Sequence, residues 1–291
     1  MPRFRPAKSA RTLSATSKLP AEARCCARPS VLVQSRSAAF VLFSASLLEC
    51  QQSASEPEAN PARPTVSTPA TLTPVTYLQF ETGSLTARHS PEFASQTSFN
   101  EVIKLTVHKR VQFLASLQPL AHYRTENLRA NGTGEVFLGA QAMLHAGEGA
   151  HPTIAVSYFR RVYNGSAPDL DFGSPGNSFI LLASADVRGF HYDANALFNE
   201  MSETDAHRLQ LGQTLSVSHS IGNRFNLSGE IWHFTQPFVR GRAVGNLWAL
   251  AYRARKNLVL DAGFNRGLTA TSTRWEVFAG FTYLLPHRLW R

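Results

Sequence analysis

The stretch SHSIGN offers the residue types of a nucleophilic hydrolase. It contains His219, Ser220 and Asn223, and Glu230 follows on the next predicted strand. A hydrolase of this kind needs a serine within hydrogen-bond reach of a histidine that an Asn or Glu orients. Adjacent residues of a strand point to opposite faces, so His219 and Ser220 diverge if the strand continues through them. We therefore expect no enzyme activity, and an enzyme that acts on lipid through this Ser/His pair remains an alternative.

Other patterns that could hold a metal or a cofactor are weak. In DLDFGSPGN, residues 169–177, two aspartates have the spacing of some calcium loops, but the later ligands do not follow. There is no phosphate-binding glycine loop with a lysine, no HExxH and no dinucleotide fingerprint. All three cysteines, Cys25, Cys26 and Cys50, lie near the N-terminus, so a mature chain without them could form neither a disulfide nor a cysteine zinc site. We expect no metal and no cofactor.

The positive charge is concentrated at the N-terminus. The chain of 291 residues has a net charge of +9, but residues 1–55 hold eight Lys and Arg against two Glu. The remainder holds 21 basic against 18 acidic residues and has no cluster of Lys and Arg interleaved with aromatics. Nucleic-acid binding usually requires such a cluster. We therefore expect no nucleic acid as a partner.

Residues 1–55 are predicted to be a leader with a signal peptide. Its hydrophobic region is the run at 37–48, which follows Arg36 and is too short to span a membrane as a helix. Cleavage is expected after Ser55; lipidation at Cys50, an organellar transit peptide and a start codon farther downstream stay open as alternatives. Residues 56–75, rich in Pro and Thr without an apolar period, are predicted to be an extended or disordered linker.

The part of the chain after the predicted linker consists of predicted strands, which position its polar residues. From residue 76 onward the sequence alternates with a period of two, and no amphipathic helix of three turns is found. Each segment has 10–13 residues, which is enough for the about 9–11 residues of a tilted transmembrane strand. Twelve such segments are predicted, at 76–87, 99–108, 111–123, 134–146, 151–163, 177–188, 190–200, 207–219, 224–235, 245–254, 257–267 and 273–285.

The connections between these segments alternate between long and short. The long ones are 89–98, 125–133, 163–177, 200–206, 236–245 and 268–272, and the short ones are near 109–110, 147–149, 188–189, 222–224 and 256–257. An up-and-down barrel in the outer membrane has long extracellular loops and tight periplasmic turns. A Greek-key sandwich would place its long crossovers irregularly.

The residues on the two faces of each strand indicate which face meets lipid. The apolar face carries aromatic residues near the strand ends, as in an aromatic girdle at the membrane interfaces. The polar face mixes isolated charges with Gly, Ser, Asn and a few bulky residues such as Leu182 and Phe278. We predict an all-β fold, a closed up-and-down antiparallel transmembrane β-barrel of about 12 strands over 76–291, with its apolar face outward. A soluble secreted β-sandwich that binds a ligand is the alternative.

Three short motifs carry a resemblance to a known family. The stretches LQFETGSL (78–85), LDAGFNRGLT (260–269) and FAGFTYLL (278–285) resemble the outer-membrane barrels described as putative transporters, or as the meta-pathway of phenol degradation family. The resemblance covers roughly residues 76–285 and implies a Gram-negative outer-membrane barrel with solute passage, for which an aromatic or hydrophobic solute is suggested. It brings no catalytic residues. The chain departs from such barrels by ending in PHRLWR rather than on an aromatic residue that closes the last strand.

A barrel of about twelve strands encloses a narrow interior, so its function depends on the inward side chains. Both signs of charge are present, which predicts either ion pairs that partly fill the lumen or a narrow polar path with weak charge selectivity. Asp261, Asn265, Arg274 and Glu276 are the most closely gathered. The lumen-facing candidates are Glu81, Lys104, Glu135, Arg161, Asp186, Arg188, His191, Asp193, Glu230, Arg253, Asp261, Asn265, Arg274 and Glu276.

A passive channel of this kind implies particular partners. We expect outer-membrane lipid around the barrel, the barrel-assembly machinery and periplasmic chaperones during its biogenesis, and a small solute that the sequence does not name.

Overall fold

The computed structural model describes residues 56–170, 173–203, 206–239 and 241–290. The predicted leader, with its hydrophobic region at 37–48 and Cys50, lies outside these residues. No helix in the described part of the chain is long and apolar enough to cross a membrane. The described strands are β1 (Leu78–Arg88), β2 (Ser95–His108), β3 (Val111–Arg124), β4 (Arg129–Gly132), β5 (Val136–His145), β6 (Thr153–Tyr163), β7 (Asn177–Val187), β8 (Phe190–Glu203), β9 (Ala206–Ile221), β10 (Phe225–Thr235), β11 (Arg242–Arg255), β12 (Leu258–Gly267) and β13 (Trp275–Leu284).

These strands form one closed antiparallel sheet. Neighbours in the chain pair with each other, β1 pairs with β13 to close the ring, and β3 pairs with both β2 and β5. The short β4 adds to the end of β3 and is not part of the ring. The result is a twelve-strand barrel with one extra strand, which confirms the predicted fold class. The alternative of two stacked sheets is wrong.

The connections gather by length at the two ends of the barrel. One end, called the loop end, carries residues 89–94, 125–135, 164–170, 173–176, 236–239, 241 and 268–274; the other, called the turn end, carries 109–110, 146–152, 188–189, 222–224 and 256–257. Arg188 and Gly189 both have positive φ, 52° and 85°, as a two-residue hairpin turn requires. Two connections break the expected alternation. At the loop end β8 continues to Glu203 and β9 begins at Ala206, so these two strands are longer than predicted, and at the turn end 146–152 is longer than a tight turn.

The apolar face of the barrel points outward. Phe264, Phe281 and Leu211 are 43%, 40% and 41% exposed, although they belong to the most regular apolar runs. Inward positions are polar and buried, among them Gln79, Glu81, Gln112, Gln141 and Gln210. This arrangement is the reverse of a soluble protein and is the one that a membrane barrel adopts. The predicted direction of the two faces is confirmed.

Residues 56–75, called the plug segment below, enter the barrel: Glu56 and Glu58 pair with Lys256 and Arg253 at the turn end, and residues 60–73 lie inside. The segment forms no strand apart from a bridge between Val75 and Thr106, so its backbone donors need other partners. Inward side chains of the wall supply them from Asn60 to Thr73. The sequence predicted only an extended linker here, because a segment without apolar periodicity gives no sign that it has a binding partner within the same chain.

Candidate functional site: the lumen and its plug segment

A carboxylate and an amide of β1 hold the start of the plug segment. The backbone N–H of Asn60 donates to Gln79 Oε1 at 2.9 Å, and Gln79 Nε2 donates back to the Asn60 carbonyl at 2.8 Å. Glu81 accepts from the backbone N–H groups of Ala62 and Arg63 at 3.1 and 3.3 Å. Lys104, buried on β2, forms an ion pair with Glu81. Each buried charge at this point therefore has a charged or hydrogen-bonding partner.

Glu230 makes the densest contact with the plug segment. Its carboxylate, in a side chain that is 3% exposed, accepts from Val66 N and Ser67 N, both at 2.7 Å, and from Ser67 Oγ at 2.6 Å. The Ser67 hydroxyl also lies 2.8 Å from Thr214 Oγ1 on β9. Hydrogen bonds to an ionised acceptor are roughly twice as strong as neutral ones. Glu230 is therefore the strongest single attachment of the plug segment to the wall.

Arg63 reaches from the plug segment to Asp261 on β12. Its Nη2 and Nε donate to the two carboxylate oxygens at 3.1 and 3.3 Å. Two inward glycines make room for the guanidinium, because a Cβ added at Gly83 or Gly280 would lie 2.3 or 2.7 Å from Arg63 Nη2. This close approach explains why glycine occupies these two positions of the polar face.

The second half of the plug segment is held by neutral side chains. Thr68 and Asn195 exchange two hydrogen bonds at 2.7 and 2.9 Å, and Ala70 N donates to Ser184 Oγ at 2.7 Å. Farther along, Thr73 N donates to Gln112 Oε1 at 2.9 Å. These partners stand on β3, β7 and β8, on the side of the ring away from Asp261. The plug segment therefore spans the lumen.

A cavity of about 180 Å³, called the chamber below, lies between the plug segment and the wall. Its wall is largely apolar, and Trp232 and Phe234 pack with ring centroids 5.9 Å apart. One polar chain borders it: Trp232 Nε1 donates to Asn265 Oδ1 at 2.8 Å, and Asn265 Nδ2 donates to Glu276 at 3.1 Å. The lining residues are Arg63, Pro64, Thr65, Val66, Leu85, Asn100, Leu170, Trp232, Phe234, Leu247, Asn265, Glu276 and Phe278.

Leu170 also lines a second cavity, which belongs to the loop end. This cavity of about 610 Å³ is formed by the loops, with Glu92, Asp169, Met201 and Phe238 among its lining residues. Because Leu170 borders both cavities, the 164–176 loop lies between the loop-end cavity and the chamber. A solute that entered from the loop end would therefore pass Leu170, then the chamber, and then meet the plug segment.

The 164–176 loop is tied down by a cluster of charged groups. Arg161 Nη1 lies 2.6 Å from Glu135 Oε1 and donates to the Ser174 carbonyl at 2.9 Å. Burial, followed by the nearby charge of Glu135, raises the pKa of Asp169 to about 6. Burial also raises the pKa of Glu135, against the opposing effect of Arg161. The order of this loop should therefore depend on pH.

The structure places the predicted lumen residues in three groups. Those buried in the lumen are Glu81, Lys104, Asp193, Glu230, Asp261, Asn265 and Glu276. Glu135 and Arg161 form the loop cluster just described. Asp186, Arg188 and Arg253 are exposed at the turn end, where His191 bonds Asp186 at 2.8 Å and Arg253 pairs with Glu58 at 2.7 Å.

The set expected to be most closely gathered separates in the structure. Asn265 and Glu276 are bonded to each other, whereas Asp261 binds Arg63. Arg274 is exposed and does not reach the lumen, because β13 begins only at Trp275. The sequence missed Arg63 and Ser67, which carry no local signal. Trp232 and Phe234 could have been predicted as lumen residues, since they alternate along β10 with Glu230 and therefore point to the same face.

The hydrolase residues do not assemble. His219 Nδ1 bonds the Gly189 carbonyl at 2.9 Å, and its ring packs against Phe190 at 4.8 Å. No hydrogen bond joins His219 to Ser220 within the described residues, and Glu230 is occupied by the plug segment. The described residues also contain no group of three or more His, Cys, Asp or Glu that could hold a metal ion.

Comparison with known proteins identifies the fold. An outer-membrane channel from Pseudomonas putida F1 superposes with a TM-score of 0.55 at 13% identity, over 78% of this chain and all of that one. The chain folds as an outer-membrane β-barrel. The NanC porin (TM-score 0.49, 11% identity, 71% of this chain and 98% of that one) and the KdgM porin (0.47, 10%, 70% and 98%) are also similar. No protein-family model and no curated protein matches the sequence.

Proposed function

We propose that the chain is a passive channel of the Gram-negative outer membrane for small, largely apolar solutes, and that the plug segment holds the channel closed. The observation that carries this proposal is the chamber. A cavity of about 150 Å³ lined by apolar side chains is enough to bind benzene. At about 180 Å³, with Trp232, Phe234, Leu247 and Phe278 in its wall, the chamber fits a single aromatic ring.

The outward surface supports a place in the membrane. Large apolar side chains are exposed all around the ring, and Tyr158, Trp248 and Trp275 among them are 47%, 50% and 43% exposed. Closure leaves no sheet edge open to lipid. In this orientation the loop end faces outside the cell and the turn end faces the periplasm. Signal-peptide cleavage, chaperones and the barrel-assembly machinery complete this proposal as the route of biogenesis.

Passage requires the plug segment to move. The segment lies beside the chamber and is bonded to wall residues from Gln79 to Asp261, and in this proposal it blocks the path from the chamber to the turn end. Most of these bonds are made by side chains. A segment attached in this way can detach without breaking a ladder of the barrel. The family resemblance suggests an aromatic solute, and the chamber is consistent with that class.

The test is ligand binding by the full chain in detergent, with toluene and phenol as probes. Leu247→Trp fills the chamber and should reduce binding at least tenfold. Leu250→Trp adds the same volume to the outward face of the same strand, where Leu250 is 45% exposed, and should leave binding unchanged. Equal affinities of the two variants would reject the chamber as the solute site.

A further inference from the structure

The outer surface carries an arginine tier at the loop end. Arg88 at the end of β1 pairs in register with Ser95 of β2 on one side and with Trp275 of β13 on the other. Ser95 in turn pairs with Arg124 of β3. On β12, Arg266 follows Asn265, which pairs with Glu276, so Arg266 lies level with Trp275. The tier consists of Arg124, Ser95, Arg88, Trp275 and Arg266 on five adjacent strands.

These side chains point away from the lumen. Their neighbours Ala87, Gln96 and Asn265 are 0%, 1% and 4% exposed and belong to the inward face. Alternation along the strands therefore places the tier outside. Strands lie about 4.8 Å apart, so the backbone positions of Arg124, Arg88 and Arg266, on every second strand, are about 10 Å apart.

The three arginines have no acidic partner in the part of the chain that the structure describes. Arg88, Arg124 and Arg266 take part in none of the ion pairs found among the described residues. The guanidinium of Arg266 stacks on the Trp275 ring, 3.9 Å from its centroid. A stacked arginine is held in place while its outer N–H groups stay available. Arg266 is thus a preorganised cation, and Arg88 and Arg124 are exposed cations in the same tier.

The opposite side of the barrel at the same end differs. There the register runs from Arg160 through Asn177 and Glu200, so one arginine is balanced by one carboxylate. Glu200 is also occupied, since His207 Nδ1 lies 3.2 Å from it. The positive charge on this side is therefore balanced, whereas that of the tier is not.

The surroundings of the tier match the depth of lipid headgroups. One step toward the middle of the barrel, Thr86 and Thr97 place two hydroxyls 3.1 Å apart. On the neighbouring strands the same step reaches the paired Phe264 and Val277, which are 43% and 60% exposed. Cationic groups and hydroxyls thus lie directly above apolar surface. Arginine suits bidentate binding of phosphate oxygens.

We infer that the arginine tier binds the phosphorylated headgroup of a lipid in the membrane leaflet at the loop end. Arg88, Arg124 and Arg266 contact phosphate oxygens, Ser95, Thr86 and Thr97 contact the remaining polar atoms, and the acyl chains cover Phe264 and Val277. This inference rests on the membrane placement in the proposed function. It does not depend on which solute the chamber takes.

Lipid A is a suitable probe because it can be prepared with and without its phosphates. The full chain in detergent is titrated with both forms. A basic residue at a membrane surface contributes about 1 kcal/mol, or roughly fivefold in affinity, so the triple variant R88Q/R124Q/R266Q should bind phosphorylated lipid A on the order of 100-fold more weakly. Lipid A without phosphates should bind the wild type about as weakly as the variant binds the intact lipid.

The matched control removes three exposed arginines from the turn end, R110Q/R224Q/R255Q, and should change binding less than about threefold. Equal losses in the two triple variants would overturn the inference, because they would show general charge attraction. Saturation of the tier by inorganic phosphate, with no gain from the lipid, would also overturn it.

Heat-modifiable migration on a gel verifies folding. If a triple variant does not fold, single substitutions replace it, and each is expected to weaken binding about fivefold. Unchanged toluene binding in Leu247→Trp would instead contradict the proposed solute site while leaving the tier intact.

Discussion

The path of the plug segment and the chamber beside it share the same barrel wall but use different residues. Along the plug segment the wall presents Glu81, Glu230, Asp261 and neutral amides, each bonded to a plug atom. In the chamber the same face of the strands presents Trp232, Phe234 and Phe278. The polar residues along the plug segment therefore serve the protein's own chain, and the residues left for a solute are mostly apolar. A polar lumen face does not by itself imply a polar solute.

The largest effect is expected from Glu230. Glu230→Gln removes the charge that receives three plug donors and leaves one acceptor oxygen for them. Hydrogen bonds to charged groups contribute about 1.5–3 kcal/mol each, so the plug segment should detach roughly 10–100 times more often. Single-channel recording in planar bilayers measures this as an increase in open probability. Ser228→Ala, an inward change on the same strand, should leave the recording as in wild type, and an equal increase there would contradict the role of Glu230.

Charge selectivity should appear once the plug segment has left. The buried charged side chains of the described residues are five carboxylates and one lysine: Glu81, Asp193, Glu230, Asp261, Glu276 and Lys104. An acidic ring favours cations. We therefore expect currents through the Arg63→Gln variant to be cation-selective in reversal-potential measurements under a salt gradient, which sharpens the weak selectivity predicted from the sequence. Asp261→Asn added to this variant should reduce the preference, and anion-selective currents would contradict the account.

A smaller effect is expected from the space reserved for Arg63. A Cβ at Gly83 would lie 2.3 Å from Arg63 Nη2, so Gly83→Val should displace the guanidinium and weaken its bond to Asp261. The loss of this ion pair should cost about 1–2 kcal/mol of plug attachment. Open probability is again the measurement. Ser84→Val, on the outward face next to it, serves as the control, and equal effects would show that the space near Arg63 is irrelevant.

The pH dependence should be the mildest of these effects and concerns the entrance to the chamber. Asp169 has a pKa raised to about 6 in the ordered loop, against an ordinary value of 3.8. The protonated form is thus favoured when the loop is ordered, and this stabilisation is lost as pH rises from about 4 to above 6. The protection factors of the amides around Leu170, which are hydrogen-exchange rates corrected for the intrinsic rate at each pH, should be higher at pH 4 than at pH 7. Asp169→Asn should remove most of the difference, and an unchanged difference in this variant would assign the effect to another group.

The sequence predicted the barrel well because its strands repeat one simple pattern. The twelve predicted segments match the ring strands to within a few residues at most ends, and the outward face was correctly assigned. The missed strand, β4, has four residues and no alternation of its own. Short segments of this kind form only because a neighbour, here the end of β3, offers free backbone groups.

The candidate site was less predictable for a physical reason. Inward charges such as Glu230 and Asp261 could be recognised from the alternation along their strands. Their partners, Ser67 and Arg63, lie 163 and 198 residues away in the chain. The contacts of the plug segment depend on backbone N–H groups, which every residue except proline carries. Its sequence therefore holds no pattern for them. The prediction that Arg274 faces the lumen was wrong for another reason: the alternating pattern was extended to Arg274, one residue before β13 begins.

The central claim is that the plug segment lies across the lumen and closes it. Ser67 Oγ and Thr214 Oγ1 are 2.8 Å apart, so cysteines at these two positions, in a chain whose three natural cysteines are replaced by serine, should form a disulfide. Recorded together with Arg63→Gln, the oxidised protein should be silent in a planar bilayer, and reduction should restore its current. Equal currents before and after reduction of a verified disulfide would show that the segment does not close the channel.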